Sequence, residues 1–163
     1  MGKEMTDERA VVMPEWPQPE AGAPCPIAVA DDVSLSIRYR AQSGKIVVVH
    51  FPLCSIFTFG LPNDEALAGH PLYGRGLEFY SVHRVENSAW IAQLERQNSV
   101  HPRHDRRRFL EDMKHFVFTF HDSTLECVVT EGRFWPTVIS QFESEAVADA
   151  PSIVFDGVEP EVR

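Results

Sequence analysis

Apolar and polar residues alternate with period two in two stretches of the chain and fall on a helical stripe in a third. Val33, Leu35, Ile37 and Tyr39 alternate with Ser34, Ser36, Arg38 and Arg40, the pattern of a strand with one wet face. Gln42-Ser43-Gly44-Lys45 supplies a turn, and Ile46–Phe51 should return as the antiparallel partner. The second alternation sets Phe116, Phe118 and Phe120 against His115, Val117, Thr119 and His121; Asp122-Ser123 then turns the chain, and residues 124–130 come back beside it. Pro52 cannot donate to a ladder, so residues 53–59 either pass a bulge or begin a new strand, and residues 77–86 read as another.

Asn87 or Ser88 caps a helix that runs to about Asn98, apolar through Trp90, Ile91 and Leu94, with Gln93, Glu95, Arg96 and Gln97 toward water. A shorter helix over residues 105–113 follows, capped by Asp105 and buried through Phe109, Leu110 and Met113. Strands on both sides of a helical insertion, without regular βαβ alternation, predict an α+β domain. Its expected form is a strongly curved antiparallel sheet of about 5–7 strands, bent far enough to approach a barrel, with one or two helices inserted between strands.

The chain has 163 residues, 44% of them hydrophobic, which suffices for one core and not for two. Residues 1–27 hold five of the twelve prolines and no periodic apolar pattern, so they are expected to form a flexible Pro-rich arm whose removal leaves the melting temperature almost unchanged. Residues 28–142 form the single domain, and residues 143–163, where acids alternate with Ala, Ser and Pro, form a mostly flexible acidic tail.

Charge follows this division. Residues 1–27 carry two basic and five acidic side chains and residues 143–163 carry one and six, which leaves −1 of the total −9 for the domain. Such a core does not attract a phosphate backbone, and nucleic acid is not the expected partner. The one basic cluster, Arg103, Arg106, Arg107 and Arg108 with His104, has Glu111 and Asp112 close by to neutralise it. No apolar run reaches the length of a membrane span, and the acids of residues 1–13 do not suit a signal peptide. Three scattered cysteines without C-x-x-C spacing fit a reducing compartment, so a cytoplasmic location is expected.

Seven histidines are the main chemical signal. His101 and His104 leave the first helix together, and with His121, Asp122 or Glu126 from the last hairpin they can supply acid and base groups or three metal ligands. Pro102 keeps the pair off a regular helix face and H-E-x-x-H is absent, so no metal site is assigned, and no motif names a cofactor. The ordinary alternative is that these histidines favour the helix C-terminus.

Residues 60–76 are long for a link between strands. Asn63 caps one helical turn, and beyond it His70, Tyr73 and Arg75 offer a base, an aromatic face and an anion clamp among glycines. Two functions follow. In the first, the protein binds a small molecule or a protein partner in a pocket lidded by residues 60–76, lined by His70, Tyr73 and Arg75. In the second, it is a small enzyme in which His70, His101, His104 and His121 converge with Asp122 or Glu126 for acid–base or metal-assisted chemistry.

Overall fold

The computed structural model describes residues 7–143. Among the described residues, nine strands form two antiparallel sheets. In chain order they are β1 (Arg9–Val12), β2 (Ile27–Ala30), β3 (Leu35–Arg40), β4 (Ile46–Phe51), β5 (Cys54–Gly60), β6 (Val82–Glu86), β7 (Met113–Thr119), β8 (Thr124–Thr130) and β9 (Val138–Phe142). A 3₁₀ turn, Asp64–Gly69, follows β5, and two helices, α1 (Ala89–Asn98) and α2 (Arg106–Asp112), separate β6 from β7. The first sheet runs β1-β6-β7-β8-β5 and the second β2-β3-β4-β9.

The two hairpins, both helices and their caps lie where the alternation and capping residues predict. Ser88 Oγ accepts from the Ile91 amide, and Asp105 Oδ1 from that of Arg108. The architecture otherwise differs from the expected one. The sheets do not close into a barrel; they pack face to face, because each hairpin presents a complete apolar face that only another such face can cover. Leu35, Ile37 and Tyr39 of β3 and Val47, Val49 and Phe51 of β4 meet Phe116 and Phe118 of β7, Phe120, and Leu125, Cys127 and Val129 of β8. Phe51 and Phe116 stack at 5.4 Å, and Tyr39 sets its ring at 6.0 Å from Phe118.

The expected boundary at residue 27 is also corrected. β1 pairs with β6 from Arg9↔Glu86 to Val12↔His83. Trp16 stacks on Phe116 at 5.1 Å, the Tyr39 hydroxyl donates to Pro17 O, and Gln18 Oε1 accepts from the Val82 amide. The prolines give this segment an extended path, and a path held against two sheets is part of the fold. Of the expected acidic tail, only Glu143 lies within the described residues, 3.4 Å from Lys45 Nζ.

The outer face of the first sheet is covered rather than wet. Leu67, Leu72 and Leu77 pack there on Val85, Val117 and Ala10, so residues 60–76 form a lid with a small core of its own. β1 is wedged beside it. Ala10 donates its amide to Arg75 O, and a Cβ on Gly76, at φ +94°, would stand 2.0 Å from Ala10 O. α1 lies on the same face, with Ile91 buried. No helix among the described residues is long and apolar enough to cross a membrane.

Candidate functional site

Glu126 is a charged residue in the middle of an otherwise apolar strand. Leu125 and Cys127 on either side of it face the sandwich core, so Glu126 points to the outer face. There it stands between Val117 on β7 and Thr58 on β5. His115, two residues before Val117, shares that face, and the end of the 3₁₀ turn brings His70 over from the lid.

Both histidines hold the carboxylate. His70 Nε2 lies 3.1 Å from Oε2 and His115 Nε2 lies 3.1 Å from Oε1. The other ring nitrogens are engaged as well. His70 Nδ1 accepts from the Leu72 amide, so Nε2 carries the proton. The Glu126 carboxylate can only accept, so His115 too donates through Nε2, and its Nδ1 is bonded to the Ser88 hydroxyl, which also accepts from Ile91. Burial alone would push the Glu126 carboxyl up, but the hydrogen bonds from His115 and His70 outweigh it and hold the group down at about 2. The two imidazoles are 5% and 6% exposed against 23% for Glu126, so the carboxylate is the member of the trio that meets open space.

That space is a cavity of about 360 Å³ lined by Thr58, His70, Pro71, Leu72, Trp90, Gln93, His115 and Glu126, with Glu8 and Ala89 at one end. Trp90, expected in the core, is half-buried instead and forms a wall, its ring 5.3 Å from His115 and nearly perpendicular to it. Glu8 reaches α1, where its carboxylate accepts from the Ala89 amide at the positive end of the helix. A wider groove of about 740 Å³ runs along β1, but its charges are set against each other, with Arg9 Nε 2.9 Å from Glu86.

Of the residues expected to carry chemistry, His70 and Glu126 meet in the cavity, and His121 Nε2 lies 3.9 Å from Asp122 Oδ1 outside it. His104 is tied to Glu95 at 2.9 Å and to Asn98 at 2.9 Å, and this pairing buries Glu95, which the helical pattern would leave in water. His101 is exposed and accepts from the Arg103 amide in its own turn. His121 Nδ1 sits 2.8 Å from Asp64 Oδ2, at ion-pair distance but without hydrogen-bond alignment, while Asp122 is exposed beside it. The Tyr80 hydroxyl, donating to Asp64, holds that carboxyl below its usual range. None of His101, His104, His121 and Asp122 lines the cavity. Tyr73 is exposed and edge-on to Phe79, and Arg75 lines the β1 groove. Arg106 faces Glu95, while Arg107 and Arg108 pair with Glu111 and Asp112 along α2.

The pattern reading gave no role to His115. Its signal was present as a histidine on the same face of the hairpin as Glu126, one strand away. His83, also fully buried, has a structural role. Its Nε2 accepts from the Glu78 amide, Nδ1 faces Val117 O, and burial lowers its pKa. Among the described residues, no three His, Cys, Asp or Glu side chains are grouped to hold a metal ion. The Cys127 thiol is buried in the core, and burial raises that of Cys54 to about 11. No family model, no curated protein and no solved structure matches this chain.

Proposed function

We propose that this is a small-ligand-binding protein whose site is the cavity between the lid, α1 and the outer face of the first sheet. The observation that carries this reading is the hydrogen-bonding state of the trio. Each nitrogen of His70 and His115 is already engaged in a hydrogen bond within the protein, so neither ring offers a free position for taking a proton from a substrate. The carboxylate they hold still has acceptor capacity and faces a cavity of metabolite size with an aromatic wall. A fixed recognition group in a concave, partly apolar site serves binding, and it weighs against the acid–base alternative.

The test is a fragment screen followed by amide and indole NMR signals. Fragments should move the Trp90 indole, the Gln93 side-chain amide and the Thr58 amide together. Hits that cluster along β1 and leave these three signals in place would sink the proposal.

A further inference from the structure

Resting on that reading, we infer that the ligand is an organic cation of metabolite size that places an ammonium group against Glu126. The two imidazoles take one acceptor position on each carboxylate oxygen, and an oxygen of this kind has about two such positions. The free positions and the exposed part of the side chain lie on the cavity side. A partly buried carboxylate with open acceptor positions is offset best by a cationic group.

The surroundings point the same way. Glu8 adds a second carboxylate, and among the described residues no Lys or Arg lines the cavity, so a carboxylate or phosphate ligand would meet repulsion without a partner. Trp90 contributes an aromatic surface, the side chain best suited to an ammonium or its methylated forms. Thr58 stands opposite Glu126 on the neighbouring strand and is exposed, so a longer side chain can be placed there without disturbing the core.

Three probes of one shape test this at neutral pH: benzylammonium, benzyl alcohol and benzoate, titrated against the full chain and followed at the Thr58, Trp90 and Gln93 signals. Benzylammonium should bind at least roughly tenfold more tightly than benzyl alcohol, with benzoate weakest. Thr58→Lys supplies an ammonium from the neighbouring strand and should weaken benzylammonium by roughly tenfold or more beyond the effect of Thr58→Gln, which has similar reach but is neutral, so the ratio between the two variants reads the charge. Glu126→Gln should abolish the preference, and because Thr58→Lys keeps the trio intact, the result does not depend on that variant folding. Equal binding of the three probes, untouched by Thr58→Lys, overturns the cation inference and leaves the ligand-binding reading standing. No movement of the three signals with any probe overturns both. Nα-acetyl-lysine methylamide separates the sources of the ammonium: tighter binding than benzylammonium assigns the site to a lysine presented by a polypeptide, weaker binding to a free amine.

Discussion

Ser88 Oγ stands 2.8 Å from His115 Nδ1 and 3.1 Å from the Ile91 amide, so a single hydroxyl both caps α1 and orients an imidazole of the site. The helix and the carboxylate are thereby coupled. α1 cannot shift on the sheet without releasing His115, and His115 cannot turn without losing its bond to Ser88.

Ser88→Ala should therefore cost more than an ordinary cap. Loss of the cap removes about 1 kcal/mol, and a buried imidazole nitrogen left without its donor adds about 1–3 kcal/mol, for a total of about 2–4 kcal/mol in urea unfolding. Ser88→Asp keeps the cap but has no proton to give. It should restore much of the stability while moving His115 toward its protonated form, visible in the imidazole nitrogen shifts. A loss confined to the size of a cap would show that the bond to His115 contributes nothing.

The low pKa of Glu126 makes a pH prediction with a definite sign. Its carboxyl titrates at about 2 in the folded chain against an ordinary 4.5, so between these values the unfolded state binds the extra proton. The resulting stability is complete above about pH 4.5 and is lost as pH falls toward 2. At about 1.4 kcal/mol per pH unit the full effect is about 3 kcal/mol, with some reduction for the exposed part of the group. The difference in unfolding free energy between wild type and Glu126→Gln should shrink as pH falls from about 4.5 toward 2. A difference that does not change down to pH 3 would mean that the two histidines do not hold the carboxylate.

Trp16 tests how far the N-terminal segment belongs to the fold. It stacks on Phe116 and lies 6.3 Å from Phe51, one ring from each sheet. Trp16→Ala should cost about 3 kcal/mol or more in unfolding free energy. A neutral substitution would return residues 7–27 to the status of an arm.

The parts of this molecule that could be read from the sequence are those where a local period coincides with burial. The hairpins of β3 with β4 and β7 with β8, and both helix caps, follow from alternation and from Ser88 and Asp105. β1 and β2 are four residues each, and Ile27–Ala30 has no polar alternate, so neither shows a period; β1 pairs with β6, far along the chain, and β2 with β3, the strand that follows it. The site was half legible for the same reason. Glu126 and His70 were noticeable as polar residues in unusual places. Their meeting depends on the lid crossing the sheet, a contact across 56 positions that no spacing encodes. Histidine spacing instead favoured His101 and His104, neighbours in sequence that turn to different partners.

Gly76 is where the lid and β1 are fitted together, and a double-mutant cycle can separate its two constraints. Alanine there meets a φ of +94° and a Cβ position 2.0 Å from Ala10 O. The backbone term belongs to the lid alone and amounts to about 1–2 kcal/mol. The steric term exists only while β1 is in place, since no side-chain rotation can relieve a clash between a Cβ and a carbonyl oxygen. Gly76→Ala should thus be strongly destabilising in the full chain, and in a chain lacking residues 1–12 its cost should fall to the backbone term. The coupling between the two changes, read from urea unfolding of the four proteins, should exceed about 1 kcal/mol. Costs that simply add would place β1 away from the lid. They would also remove Glu8, which precedes β1, from the mouth of the cavity, leaving Glu126 as its one carboxylate among the described residues.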